Sequence, residues 1–304
     1  MKTNKYGPFH LDDHKGEYCI DNYKSVFDPK KGYVIAEPYP TQLELEEYYE
    51  GSYFEEGDLV KHDYLKEEKI YRVTYLKYID SIFGFLDPLQ KINALDYGCG
   101  VGSFVRSLIE SNHAAQINSI EGYDLSNTAV LLAKENTSSN LVNYHTLDKL
   151  NNEKKYNLIS MLEVVEHIPD VQITIKELTA KLEDNGFIFI TTPNYNSFEQ
   201  RFYKNKWRLF CPPEHINFFT KHSLIKLLED HGYEVIKIDD EFVFSFSFGF
   251  RKLISNKCPL FLIKIISNLK QFLVYKIFNI LLRLLGFEGG KVTVIAQKKE
   301  NYNV

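Results

Sequence analysis

The chain has 304 residues, 44% of them hydrophobic and 25% charged, a balance that supports a buried core and excludes wholesale disorder and collagen-like or coiled-coil repetition. Its net charge of -5 hides a division: seven bases and no acid lie between Phe242 and Phe287, which leaves -12 on the remainder. Four cysteines, Cys19, Cys99, Cys211 and Cys258, stand at unpaired spacings, arguing against a disulfide framework and for a reducing cytoplasm. The N-terminus lacks the apolar stretch of a secretory signal. Bases interrupt every apolar run before it reaches the roughly 18 residues needed to span a bilayer.

In chain order, residues 1–40 are punctuated by Tyr and Pro, with a short strand at Tyr33–Ile35. Thr41 is a fitting N-cap for the acidic helix TQLELEEYYE, and a longer helix is predicted from about Tyr64 to Phe83. Residues 1–90 read as an N-terminal cap. From Lys91 strands and helices alternate: KINALDY, INSIEGYD, LVNYH, YNLISML, FIFITTPN and YEVIKIDDEFV read as strands. Between them GSFVRSLIESN, SNTAVLLAKEN with Ser126 as N-cap, VQITIKELTAKLEDNG closed by Gly186, and KHSLIKLLEDHG closed by Gly232 read as helices. With a last strand at Lys291–Gln297, this predicts a doubly wound α/β fold with a seven-stranded, mostly parallel sheet covered on both faces. The core spans 91–242, a basic apolar helical insertion 243–289, and the last strand and tail 290–304.

Within the insertion, Pro259 is expected to start a helix whose Leu262, Ile266, Leu269, Leu273, Ile277, Ile280 and Leu284 form one apolar stripe. Lys257, Lys264, Lys270, Lys276 and Arg283 lie off the stripe. Residues 257–286 thus suit an anionic membrane surface as partner, with a cytoplasmic location on the membrane's inner face. A helical hairpin packed on the body or on a second subunit is the other reading of the same pattern.

In an open α/β sheet the ligand binds beyond the carboxyl ends of the strands, so the first strand-to-helix turn, Asp96-Tyr97-Gly98-Cys99-Gly100-Val101-Gly102, is the candidate cofactor loop. Asp124, 22 residues past Gly102 at the next strand's end, is placed to accept ribose hydroxyls. A dinucleotide fingerprint requires a sixth-position glycine, but Ser103 stands there, and Asp96 would repel a pyrophosphate. The carboxylate suits a ligand that carries a cation.

LDYGCGVG followed by EGYDLS, YNLISMLEVVEHIPD, GFIFITTPN and PPEHINFFTKHSLIKLLEDHGYEV resembles class I S-adenosylmethionine-dependent methyltransferases. The likeness is greatest to the bacterial group that includes ubiquinone-biosynthesis O-methyltransferases and sugar or polysaccharide methyltransferases. It implies S-adenosyl-L-methionine as cofactor, with Asp96 and the backbone at Gly98 and Gly100 holding the methionine moiety and Asp124 the ribose. Asp148 is implied at the adenine, where Thr146 competes for the role, and Gly102, Leu125 and Met161 are further cofactor contacts. Asn157 stands where the family has Asp, and its bland role is a strand-start hydrogen bond.

Methyl transfer requires alignment and removal of the acceptor proton. His167, in Glu163-Val164-Val165-Glu166-His167 after the fourth strand, is the candidate base, with an ordinary pKa of about 6.5 that a nearby carboxylate is expected to raise. His215 of Pro212-Pro213-Glu214-His215 is placed to meet it, and Glu163 and Glu166 complete the catalytic set. The same E-x-x-E-H run with a distant histidine also resembles the metal ligands of small-RNA 3′-terminal 2′-O-methyltransferases. No metal is assigned, and with only Cys19 near the N-terminus no structural zinc is expected. The acceptor is expected to be a hydroxyl of a small or lipid-linked molecule. DNA is not expected as a partner, and RNA is disfavoured for want of a basic patch. The alternatives are the RNA methyltransferase and a non-catalytic or nicotinamide-binding protein. Trp207 and Arg208 offer either a sugar-stacking wall or a core anchor, and Tyr48, Tyr49 and Tyr53 either a lid or a helix face.

Overall fold

The computed structural model describes residues 23–41, 43–45, 64–146, 150, 153–204, 207–242, 277, 279–300 and 302. Asp148, the three cap tyrosines and most of the insertion lie outside them. The sheet has seven strands in the order β5-β4-β3-β6-β7-β10-β9. They are β3 (Ile92–Tyr97), β4 (Ile117–Asp124), β5 (Val142–Thr146), β6 (Tyr156–Leu162), β7 (Leu182–Pro193), β9 (Tyr233–Glu241) and β10 (Lys291–Lys298). From β5 to β7 the pairings are parallel, whereas β10 runs antiparallel to both β7 and β9.

Alternation along each strand divides the core between the two faces. Leu95, Ile159, Ile188 and Ile190 face α4 (Val171–Lys181) and, beyond the short α5 (Phe198–Tyr203) in the chain, α6 (Lys221–Asp230); these two supply Val171, Ile175, Leu178, Leu224 and Leu228. Ala94, Leu158, Phe187 and Phe189 face the other way, toward α1 (Tyr64–Phe83), α2 (Ser103–Ile109) and α3 (Asn127–Asn136). Helix α1, expected within a separate cap, thus belongs to a layer of the sheet itself, through Tyr78, Ile79, Ile82 and Phe83. The remainder of the expected cap contributes β1 (Lys24–Asp28) and β2 (Tyr33–Glu37), which pair with β8 (Asn217–Phe218) in a second, three-stranded sheet. Thr41 caps the acidic segment as expected: its Oγ1 accepts from the Glu44 N–H at 3.2 Å while Glu44 reaches back to the Thr41 N–H at 2.9 Å.

One boundary differs. The helix predicted to close at Gly186 stops at Lys181, and Leu182 already pairs with Tyr156 of β6. Leu182 is fully buried and its carbonyl accepts from Lys298 Nζ at 2.8 Å, so tertiary pairing overrides the helical pattern of LEDNG. The insertion leaves β9 and returns to β10 through a knot at Asp240, which binds Arg283 Nη1 at 3.1 Å, Lys221 Nζ at 3.3 Å and the Gly289 N–H.

Candidate active site

β3 delivers the chain into the glycine turn with Gly98, Gly100 and Gly102 at φ of 78°, 51° and 81°. Space adds to the demand at two of them. A Cβ on Gly98 would overlap the Val164 methyls, and one on Gly102 would lie 2.5 Å from the Tyr144 hydroxyl. Gly98→Ala is therefore expected to cost about 2 kcal/mol, read as a drop of several degrees in Tm by differential scanning fluorimetry.

The N–H groups of Gly98 and Cys99 both donate to the Tyr123 carbonyl, at 2.7 and 3.0 Å, tying the loop to β4. Asp124 accepts from Gly100 N–H at 2.8 Å and from Ser126 N–H at 2.9 Å. Asp96, only 3% exposed, accepts from the Ser160 hydroxyl at 2.7 Å. Burial, opposed by that hydroxyl and aided by the charge of Asp124, pushes the Asp96 carboxyl up to about 7. Burial raises Asp124 as well, against the N–H groups of Ser126 and Gly100. Two neighbouring carboxyls that burial holds toward their neutral forms gain most from a cationic ligand, which restores their ionised forms. A ligand bearing an ammonium and a sulfonium fits this floor, and the loop's backbone is open at Gly100, where a Cβ would meet nothing within 4 Å.

Other expected contacts distribute differently. Thr146 ends β5 opposite Asp124. Leu125 is 62% exposed at the rim. Met161 is a correction: it is fully buried in the core beneath the site and has no surface to offer a cofactor, because its position on β6 points it toward α4 and α6. Asn157 takes the bland role, its Oδ1 accepting the Asn93 N–H at 2.9 Å. Trp207 is 3% exposed and packs with Phe210 and Phe218, so it anchors its loop and makes no stacking wall.

The second half of the site grows from the end of β6. Glu163 sits at φ 54°, a left-handed conformation rare for a residue with a Cβ, held by its N–H donating to the Thr191 carbonyl at 2.9 Å. Its Oε1 accepts from Thr191 Oγ1 at 2.7 Å and lies 3.1 Å from Lys291 Nζ. Glu166 is 1% exposed; its Oε2 accepts from Thr192 Oγ1 at 2.9 Å, and its Oε1 has no hydrogen-bond partner among the described residues. The Glu166 carbonyl accepts from the N–H groups of Ile216 and Asn217, at 2.9 and 3.1 Å, and this brings the distant His215 to His167. Their rings stand 4.7 Å apart at 73°.

His167 Nδ1 lies 2.8 Å from the Glu214 carbonyl and His215 Nδ1 2.8 Å from the Leu209 carbonyl. A carbonyl only accepts, so each Nδ1 carries the proton and each Nε2 the lone pair. One ligand atom from each of Glu166, His167 and His215 falls within a span of 4.8 Å. Burial would raise the Glu163 carboxyl, but the Lys291 ammonium and the Thr191 hydroxyl outweigh it and hold the group low. Burial, aided by the charge of Glu163, pushes Glu166 well above the carboxylate range. The expectation that a carboxylate raises His167 is corrected: burial and His215 push it down to about 4, against Glu214 and Glu163. Burial lowers His215 too.

Ser160, Thr191, Thr192 and Lys291 escaped the sequence reading. The hydroxyls had a signal, since Ser and Thr at the carboxyl ends of otherwise apolar strands must bond something. Lys291 had none, because its place depends on the pairing of β10.

A family profile described as a methyltransferase domain matches residues 69–238, more than half of the chain. Curated relatives named ubiquinone biosynthesis O-methyltransferase include that of Nitrosomonas europaea, 32% identical over 127 residues, covering 40% of this chain and 51% of the relative. That of Rickettsia felis is 36% identical over 129 residues, covering 40% and 49%. That of Pelagibacter ubique is 28% identical over 162 residues, covering 50% and 65%. The chain thus spans about half to two thirds of the length of these relatives. Among solved structures, a chain of the Haloferax volcanii complex between the Trm112 methyltransferase activator and a methyltransferase aligns at TM-score 0.54 and 14% identity, covering 81% of this chain and 98% of that one. A SAM-dependent methyltransferase from Archaeoglobus fulgidus aligns at 0.50 and 18%, covering 85% and 100%. At those identities the structural likeness speaks for the fold. The nicotinamide alternative falls to the family match and to the carboxylates of the loop. The chain belongs to the methyltransferase domain family, with the class I fold and S-adenosyl-L-methionine as its cofactor.

Proposed function

We propose that the chain methylates a hydroxyl of a small, quinone-like acceptor. The observation that carries this reading is the packing of Val164 on Gly98: the turn bearing Glu163, Glu166 and His167 lies directly against the cofactor loop. When bound, S-adenosylmethionine supplies a methyl group activated for in-line displacement. The chain's residues do the rest. Asp96 takes the ligand's ammonium and Asp124 its ribose, fixing where the methyl points. His167, held by Glu214, turns Nε2 to the acceptor and receives the hydroxyl proton as the new oxygen–carbon bond forms. His215 packs edge-on against His167 and fixes the plane of its ring. The curated relatives carry the quinone part of the reading. Tritiated methyl from labelled cofactor, incubated with purified protein and a cell extract, is expected in the lipid-extractable aromatic fraction; label in RNA or protein would overturn the acceptor class.

A second reading of the same turn has its own observation. The unpartnered Oε1 of Glu166 and the two Nε2 atoms make a set of one carboxylate and two neutral imidazoles, a donor combination suited to Mn or Zn. A cation held there would lower the pKa of an acceptor hydroxyl.

The reading extends to location, in the cytoplasm at the inner face of an anionic membrane. Among the described residues no helix is long and apolar enough to cross a bilayer. Of the predicted stripe, Ile277, Ile280 and Leu284 are described, and all three are exposed beside exposed Leu281 and Leu285, while Leu282 turns inward. Sedimentation of the full chain with anionic liposomes is expected to weaken with salt and with Leu281→Glu plus Leu284→Glu. Indifference to liposomes would remove this part of the reading.

A further inference from the structure

The E-x-x-E-H turn offers two carboxylates, yet only one stands with the histidines. The reason lies at the far end of the chain. Because β10 is antiparallel to β7, its first residue arrives at the carboxyl end of the parallel strands, where Lys291 pairs with Pro193 on one side and Glu241 on the other. Gly289 permits this arrival, since a Cβ there would overlap the Glu241 backbone, and its N–H is taken by Asp240. The ammonium of Lys291 then lies in the field of three acids, Glu163 first and then Glu241 and Glu166, whose charges favour its ionised form. Glu241 already accepts from the Tyr78 hydroxyl at 3.3 Å and Glu166 from Thr192, and the direct ion pair, 3.1 Å, is with Glu163. Thr191 Oγ1 binds the same Glu163 oxygen from the neighbouring strand. Glu163 is thus held by two donors at the strand ends, and the convergent set within 4.8 Å contains Glu166, His167 and His215 without it.

We propose that Lys291 is the positioning residue of this turn: its ammonium holds Glu163 against Thr191 and out of the Glu166, His167 and His215 cluster, so that the cluster presents one carboxylate and not two. The inference rests on the reading of the turn as the acceptor site, but its consequence is measurable without an acceptor. With Lys291 removed, Glu163 keeps one of its two side-chain donors, the Thr191 hydroxyl, and a divalent cation at the cluster, whose own carboxylate is three residues away in the chain, gains a second anionic ligand.

The test is Mn²⁺ binding to the full chain, followed by the electron paramagnetic resonance signal of free Mn²⁺, with S-adenosylmethionine affinity measured alongside as a gauge of the intact fold. Lys291→Met is expected to bind Mn²⁺ at least tenfold tighter than the natural chain. The gain is expected to vanish in Lys291→Met with Glu163→Gln, and Lys291→Arg to stay within twofold of the natural chain. Should Lys291→Met lose cofactor binding, Lys291→Ala, which likewise leaves Glu163 without that donor, replaces it in the same comparison. Unchanged Mn²⁺ affinity in the uncharged variant, or a gain that survives Glu163→Gln, overturns the proposal. Neither result depends on which acceptor is methylated, so failure of the labelled-methyl experiment would be recognised separately.

Discussion

Asp96→Ala is expected to weaken S-adenosylmethionine binding at least a hundredfold by calorimetry, about 3 kcal/mol, the scale of a lost charge-assisted contact in a buried site. The carboxyl lies at the bottom of the loop with Ser160 as its hydrogen-bond donor, and burial has pushed it up to about 7. An arriving ammonium reverses that shift by stabilising the ionised form. Binding must therefore expel a proton when the free protein carries one, which is the case below about pH 7. Calorimetry at pH 6 in buffers of different ionisation enthalpy should show release approaching one proton per cofactor, absent in Asp96→Asn. The same shift affects the empty protein in the opposite sense to a salt-bridged acid. Its folded pKa lies above the unfolded value, so its contribution to stability declines as pH rises from about 4 to about 7 and is restored by cofactor.

His167→Ala is expected to lower kcat between about a hundred- and ten-thousandfold, the span usual for a positioned base, while cofactor affinity stays within twofold. Normal turnover in this variant would show that His167 moves no proton. Its depressed pKa sets the pH limb. A group that titrates at about 4 is neutral throughout the physiological range, so with cofactor saturating, and Asp96 therefore ionised, kcat should be level from pH 8 to 6 and fall only as pH approaches that value. Stability follows the same residue: the unfolded histidine takes up a proton near pH 6.5 that the folded one refuses, so the fold loses stability as pH falls from about 6.5 to about 4.

Much of this molecule was legible in its sequence because local signals and tertiary demands agree. The helix predicted from about Tyr64 to Phe83 spans those residues, Ser126 accepts from Ala129 N–H as an N-cap should, and INSIEGYD is a strand from end to end. The geometry of the glycine loop was legible for the same reason: glycines at positive φ and acids at strand ends are consequences of short-range geometry. Reading failed where the cause is distant. LEDNG has a helical look, but Leu182 is claimed by Tyr156 and by the ammonium of Lys298, more than a hundred residues away. Trp207 could have served a ligand or the core, and only the arrival of Phe218 beside it decides for the core. The direction of the His167 shift was missed because a sequence shows the nearby acids but not the burial that outweighs them.

The place of β10 bears on how the molecule comes into being. This strand is hydrogen-bonded between β7 and β9, yet it is separated from β9 by the whole insertion. Until residues 291–298 emerge, β7 has an open edge composed of Phe187, Ile188, Phe189 and Ile190, and β9 has no partner in the sheet at all. During synthesis the ribosome must therefore supply a long apolar segment and then the final strand before the nascent sheet can close. That interval leaves the bare hydrophobic edge available to chaperones or to another nascent copy. Closure of the sheet therefore waits on residues 291–298, long after the glycine loop that follows β3 has been made.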